Sequence, residues 1–222
     1  MNRPRILIAD DHVILLDAFK RLLEPEYNVV GTVADGQALV KAAEDLKPDV
    51  IIADISMPRL NGLDAARRLF GRVPGMKLLF LTVNEDPELA AEAIRRGASG
   101  YLLKKSASAE LFRAIRQVLD GRIYVTPAIT QLPASIFAAD ANRAGPARAL
   151  SLRQREVLQL LAEGKSMKEA ADILNVASRT IAFHKYEMMH HLGLKTSAEL
   201  VQHAVKLGLV SGQMPPPAWP KL

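Results

Sequence analysis

The sequence predicts an α/β domain on a doubly wound, five-stranded parallel sheet of order 2-1-3-4-5, followed by a small all-α domain of four helices. Three observations carry this. Over residues 1–120, short apolar runs alternate with stretches of helical period five times, the pattern of consecutive βα units. Residues 121–149 lose both periods and gather Pro127, Pro133, Gly145 and Pro146. From Leu150 to Val210 only the helical period remains.

The runs Arg5–Ala9, Asn28–Val33, Val50–Ala53, Lys77–Leu81 and Gly100–Leu103 are rich in Ile, Val and Leu. Nearly continuous apolar runs suit parallel strands covered on both faces. The stretches His12–Leu23, Gly36–Leu46, Leu60–Phe70, Pro87–Arg96 and Ala107–Leu119 read as the helices between and after them. Right-handed crossovers bring the C-terminal ends of all five strands to one edge. This defines a first domain over 3–120. Residues 121–147 read as a linker with one short helix near Ile129–Ala139. A second domain covers 148–211, and residues 212–222 form a Pro-rich tail.

In the second domain, capping-box signatures stand at Ser151–Gln154, Ser166–Glu169 and Thr196–Glu199. A fourth helix starts near Ser178, which can cap without a box. Gly164, Gly193 and Gly208 fall where three of these helices should stop.

The chain carries a formal charge of +5. Residues 1–120 hold 17 Lys/Arg and 17 Asp/Glu, while 121–222 hold 12 and 7. The whole surplus therefore lies in the second part, which suggests a polyanionic partner there or simply a solvated basic surface. Cys is absent, which excludes a disulfide scaffold, a thiol nucleophile and a Cys zinc site. No run is long enough for a membrane span or a signal segment. The expected location is the cytoplasm.

Asp10 and Asp11 follow strand 1, Asp54 follows strand 3, Thr82 ends strand 4 and Lys104 follows strand 5. Strands 1 and 3 are neighbours in a 2-1-3-4-5 sheet, so three carboxylates should meet in one pocket. Such a cluster calls for a cation. An oxygen-only donor set with room for water suits Mg²⁺. Asp11 and Asp54 are expected as direct ligands, with the Ser56 carbonyl as a third and Asp10 acting through water. A metal-bound carboxylate can act as a nucleophile toward a phosphoryl donor. Lys104 can neutralise charge in that transfer and Thr82 can donate a hydrogen bond. Singly, each of these residues is as well explained as a helix-start or surface residue. Their coincidence at four strand ends is the signal.

Asp10-Asp11, the run Asp54-Ile-Ser-Met-Pro-Arg-Leu-Asn-Gly62, Thr82 and Gly100-Tyr-Leu-Leu-Lys104 resemble a bacterial receiver domain, in the order found in NarL/FixJ-type response regulators. The resemblance covers about residues 3–120. It implies Asp54 as phosphoacceptor, a Mg²⁺ site, a sensor histidine kinase as donor, and Thr82 with Tyr101 as a switch pair.

Residues 166–192 fit a scaffold helix, a turn at Asn175-Val176-Ala177 and a recognition helix. Ile181, Met188 and Leu192 form an inward stripe, on which Lys185 also falls. Arg179, Ala182, Phe183, Tyr186 and His190 face the other way. Arg179 can read guanine, and Ala182 or Phe183 can touch a thymine methyl. Ser178 starts this helix. Lys168, Thr180, His184, Lys185 and Lys195 are candidate phosphate contacts. The stretch from Leu150 to Lys195 resembles the LuxR-type DNA-binding domain, over about 148–210. It departs from many relatives at Ala182, where Lys is common, and at Lys185, commonly apolar. The resemblance implies a homodimer formed through the last helix, about Ser197–Leu207. Leu200, Val201, Ala204 and Leu207 there are equally explained as core.

Together these readings describe a response regulator of a two-component system, not an enzyme. Phosphorylation of Asp54 controls promoter binding by the second domain. Three rivals stand beside it: phosphorylation-independent DNA binding, a ligand-controlled transcription factor, and an aspartate-nucleophile phosphatase. The last usually shows two aspartates flanking one residue on a single strand, which Asp10-Asp11 does not.

Overall fold

The structure is a computed structural model that describes residues 3–130 and 150–210. The chain divides into two compact units, parting at residues 143 and 144. The Pro-rich tail and most of the expected linker, including its helix beyond Thr130, lie outside the described residues.

The first unit is a parallel sheet of β1 (Arg5–Ala9), β2 (Asn28–Val33), β3 (Val50–Ala53), β4 (Lys77–Thr82), β5 (Gly100–Leu103) and β6 (Tyr124–Val125), in the order β2-β1-β3-β4-β5-β6. Its helices are α1 (Val13–Leu23), α2 (Gly36–Leu46), α3 (Gly62–Leu69), α4 (Pro87–Arg95), α5 (Ala107–Leu119) and the single turn α6 (Pro127–Thr130). Strand side chains alternate between two cores. Leu7, Ile51, Phe80 and Tyr101 meet Leu39 of α2, Leu63 of α3 and Ala90 of α4. Ile6, Ile52, Leu79 and Leu102 meet Leu16 of α1 and Ile115 of α5. Every residue of β3 and β5 is buried, as expected for strands covered on both faces.

Among the described residues the sheet has six strands, not five. Gly121, with φ +79°, turns the chain after α5. Tyr124 and Val125 then pair in parallel with Gly100 and Tyr101. Thr126 fixes the new edge: its amide donates to the Tyr101 carbonyl and its hydroxyl accepts from the Leu103 amide. Ile129 of α6 is buried in the first core. Residues 121–130 therefore continue the first unit where the sequence suggested a linker. A two-residue strand is too short to show a period.

The second unit consists of α7 (Leu152–Ala162), α8 (Met167–Leu174), α9 (Ser178–Leu192) and α10 (Ser197–Lys206) around one core, which includes Val157, Leu160, Ala171, Ile181, Met188, Leu200 and Ala204. All three expected capping boxes form at Ser151, Ser166 and Thr196. α9 starts at Ser178 as expected, but its cap differs. Ala177 is its N-cap and Ser178 is already helical, so Ser178 does not cap. Asn175 closes α8 in the left-handed conformation that Asn tolerates.

Candidate functional site

The chemistry-bearing residues of the first unit converge at the C-terminal edge of the sheet. β1 delivers Asp10 and Asp11, β3 delivers Asp54, β4 ends in Thr82 and β5 leads into Lys104. The Asp54 amide donates to the Ala9 carbonyl, which ties the ends of β1 and β3 together. Asp10, Asp54 and Thr82 are buried. The Lys104 ammonium lies 2.6 Å from Oδ2 of Asp10 and 2.6 Å from Oδ2 of Asp54. One cation thus bridges two buried carboxylates.

The electrostatics follow from that burial. Desolvation pushes the Asp54 carboxyl above the usual carboxylate range, with the Asp10 charge adding to it, although Lys104 works the other way. Burial alone would discharge Lys104, but Asp54 and Asp10 outweigh it and hold the ammonium above its ordinary range. The loop after β3 is held from two sides. The Ser56 amide donates to Oδ1 of Asp54 at 3.3 Å. Gly62 lies so close that a Cβ there would overlap the Asp54 carbonyl oxygen. Asn61, fully buried, caps α3 by accepting from the Asp64 amide and donates to the Asp64 carboxylate.

Asp10, Asp11, His12 and Asp54 offer ligand atoms that all lie within 4.8 Å of one another. Three carboxylates share this pocket with one ammonium, leaving it two negative charges in excess when all are ionised. That surplus of oxygen donors fits a hard divalent cation. Sequence reasoning passed over His12, whose Nδ1 stands 3.0 Å from Asp10 and 2.8 Å from Asp11. Its signal was its place directly after the acidic pair. For Ser56 the defined contact is its amide to Asp54.

Thr82 and Tyr101 are joined through Asn84. The Asn84 amide donates to the Thr82 hydroxyl at 3.2 Å, and the Tyr101 hydroxyl donates to the Asn84 carbonyl at 2.8 Å. Tyr101 is fully buried. Burial, reinforced by the charges of Asp86 and Asp54, raises its phenol far above the ordinary value, so it stays a neutral donor. Asn84 is the link that sequence reasoning did not single out.

In the second unit, α9 buries Ile181 and Met188 and half-buries Leu192. Arg179, Phe183, Tyr186 and His190 are exposed, as are Ser178, Lys168 and Lys195. Ala182 and Thr180 are half-buried. Lys185 is half-buried as well. Its ammonium lies 3.2 Å from the Ser197 hydroxyl and 5.8 Å from the Tyr186 ring centroid. His184 packs edge-on against Phe183, and its Nδ1 is buried 3.9 Å from Glu187. Leu200 and Ala204 of α10 are core, while Val201 and Leu207 are half-buried against it.

The first unit thus carries an acidic pocket and the second a helix-turn-helix, the two parts of a response regulator. Family models agree on both parts: residues 6–116 match the response regulator receiver domain and 148–204 match the bacterial regulatory proteins of the luxR family. The chain belongs to the NarL/FixJ-type response regulators of two-component systems. It is 37% identical over 214 residues to the oxygen regulatory protein NreC of Staphylococcus aureus, covering 93% of this chain and 99% of that one. Among solved structures it is similar to the Salmonella typhimurium RcsB response regulator, at TM-score 0.65 and 29% identity, covering 93% of this chain and 99% of that one. It is also similar to RcsB of Salmonella enterica serovar Typhimurium bound to the rprA promoter in the presence of the phosphomimetic BeF3⁻. That match has TM-score 0.60 and 29% identity, and covers 91% of this chain and 98% of that one.

Proposed function

We propose that Asp54 is the phosphoacceptor and that its phosphorylation switches promoter binding by the second unit. The observation that carries this is the Lys104 ammonium, 2.6 Å from both Asp10 and Asp54 at the ends of neighbouring strands. An oxygen of the Asp54 carboxylate attacks phosphorus, the bond from phosphorus to the donor breaks, and its electron pair leaves with the donor. The donor class is a phosphohistidine of a sensor kinase. Lys104 pairs with the incoming phosphoryl oxygens. The Thr82 hydroxyl, whose lone pair takes the Asn84 amide, directs its hydrogen at them. Asp10, Asp11 and Asp54, with the Ser56 carbonyl, would hold a Mg²⁺ ion, which would supply further charge neutralisation.

The new charge, about −1.5 to −2, draws Thr82 inward. Tyr101 follows through Asn84, biasing the surface formed by α4, β5 and α5. The second units then pair on two half-sites. α9 enters the major groove with Ser178, Arg179, Ala182, Phe183 and Tyr186 toward the bases. Lys168, Thr180, His184 and Lys195 contact phosphates. Lys185, turned toward Ser197, reaches a phosphate only by leaving that contact. Support comes from the promoter-bound RcsB structure and from a structure of two RcsB dimers bound to two parallel DNAs, 28% identical to this chain at TM-score 0.57. The adjacent placement of Asp10 and Asp11 argues against a phosphatase that turns over external esters. Among the described residues no helix is long and apolar enough to cross a membrane, and a cytoplasmic location is part of this reading.

The test is labelling by radioactive acetyl phosphate with Mg²⁺. The native chain takes up one acid-stable, base-labile phosphoryl group, and Asp54→Ala takes up none. Undiminished labelling of the variant refutes the assignment.

A further inference from the structure

The outward face of α9 has an unusual composition for a surface that meets a polyanion. Ile181 and Met188 are fully buried and fix which side of the helix points inward. At about 100° per residue, set by 3.6 residues per turn, Phe183 lies on the far side from Ile181. Arg179, Phe183 and Tyr186, spaced four and three residues apart, form one exposed row. Phe183 and Tyr186 are each 61% exposed. Aromatic rings carry a large apolar area whose burial is favourable, so two on one row of a small helical unit are available to a partner.

Fixed charge on this row is sparse. The helix has two Lys/Arg residues, Arg179 and Lys185, against Glu187. The Lys185 ammonium is turned to the Ser197 hydroxyl at 3.2 Å, which leaves Arg179 as the fixed cation of the row. Glu187 follows Phe183 by one turn, and its carboxylate is engaged by the Gln154 amide group, which donates to it at 3.0 Å. The remaining surface beside Arg179 is Ala182, Phe183 and Tyr186. In the major groove the apolar group on the base edges is the 5-methyl of thymine. The surplus of positive charge in residues 121–222 makes DNA the partner that fits around this apolar row, in preference to a second copy of an equally basic unit.

We infer that α9 selects its sites chiefly by thymine methyl groups seated on Phe183 and Tyr186, with one guanine held by Arg179. This rests on the proposal that α9 enters the major groove. Four residues of helix advance about 6 Å, close to two base steps of about 3.4 Å. The Phe183 thymine therefore lies about two steps from the Arg179 guanine, and the Tyr186 thymine about one step further.

The experiment uses the full chain, phosphorylated by acetyl phosphate, to enrich bound duplexes from a random DNA pool. Each thymine of the enriched site is then replaced by uracil, which lacks the methyl but keeps the same hydrogen-bonding edge. One or two replacements per half-site should weaken binding about fourfold each, the size of one buried carbon group. Phe183→Ala, an exposed position that leaves the fold intact by thermal melting, should lose the sensitivity at one of them and keep the sensitivity to the guanine. Equal affinity for thymine and uracil sites overturns the inference while leaving DNA binding standing. So does an unchanged uracil penalty in both Phe183→Ala and Tyr186→Ala. Failure to enrich any duplex overturns the DNA-binding proposal itself, and this inference with it.

Discussion

At the scale of single residues, the pocket depends on Lys104 more than its own position in the sequence suggests. Lys104 and Lys105 are neighbours, yet their environments diverge. The Lys105 side chain is 56% exposed and pairs with Glu85 on the surface, whereas Lys104 is 9% exposed between Asp10 and Asp54. Surface pairs contribute little. Removing one partner of a buried set leaves charge uncompensated and is costly. Lys104→Met should therefore lower stability by about 3 kcal/mol in urea unfolding without divalent cations. Lys105→Met should change it by less than about 1 kcal/mol. Equal effects would mean that the bridge is not what holds the carboxylates together. Asp10, Asp11, Asp54, Thr82 and Lys104 were legible because strand ends are legible and a parallel sheet gathers them. His12 and Asn84 were not, because their roles come from a side-chain rotamer and a loop carbonyl, which have no sequence period.

At the scale of elements, the second unit shows how capping links stability to pH. Backbone amides at Lys195 and Thr196 donate to Glu199 and hold its carboxyl below the usual range. The Ser166 amide does the same for Glu169. Carboxyls lowered by folding stabilise the folded state above their unfolded value and lose that contribution as pH falls through the folded one. His203 of α10 is also lowered, first by burial and then by Lys206. A histidine lowered by folding leaves stability intact above its ordinary value of 6.5 and erodes it as pH drops below. Protection factors of the α7 and α10 amides, corrected for intrinsic exchange, should therefore fall in two stages, first below about pH 6.5 and again below the ordinary Glu range. His203→Gln should remove the first stage alone. If the first stage persists in that variant, another group is responsible. The capping boxes were visible in the sequence because two residues at a fixed spacing carry each of them. The start of α9 near Ser178 was visible too, but its cap was not, because Ala177 offers no side chain to bond the first turn.

At the scale of the whole molecule, charge is divided by task. The first 120 residues are electrically balanced, and the surplus of five lies beyond them. DNA affinity should accordingly fall with salt according to the phosphates neutralised by the second unit. Lys168→Ala and Lys195→Ala should each reduce the log–log slope by about 0.9 and weaken all sequences alike. Lys41→Ala, at an exposed position of α2 in the first unit, should leave it unchanged. A slope that responds to Lys41 and not to Lys195 would reverse this division. The two-part architecture was legible from the change of period near residue 120. The boundary was misplaced because β6 and α6 are too short to announce themselves, and only their pairing with β5 and the burial of Ile129 reveal them.

That short sixth strand also decides where the chain can be cut. A fragment ending at residue 120 would strip the cover from β5, baring the amide and carbonyl groups on either side of the buried Tyr101. A naked strand margin of this kind invites sticking between copies. Any excised N-terminal piece meant to behave as a monomer must therefore run past Ile129, so that it carries its own hem.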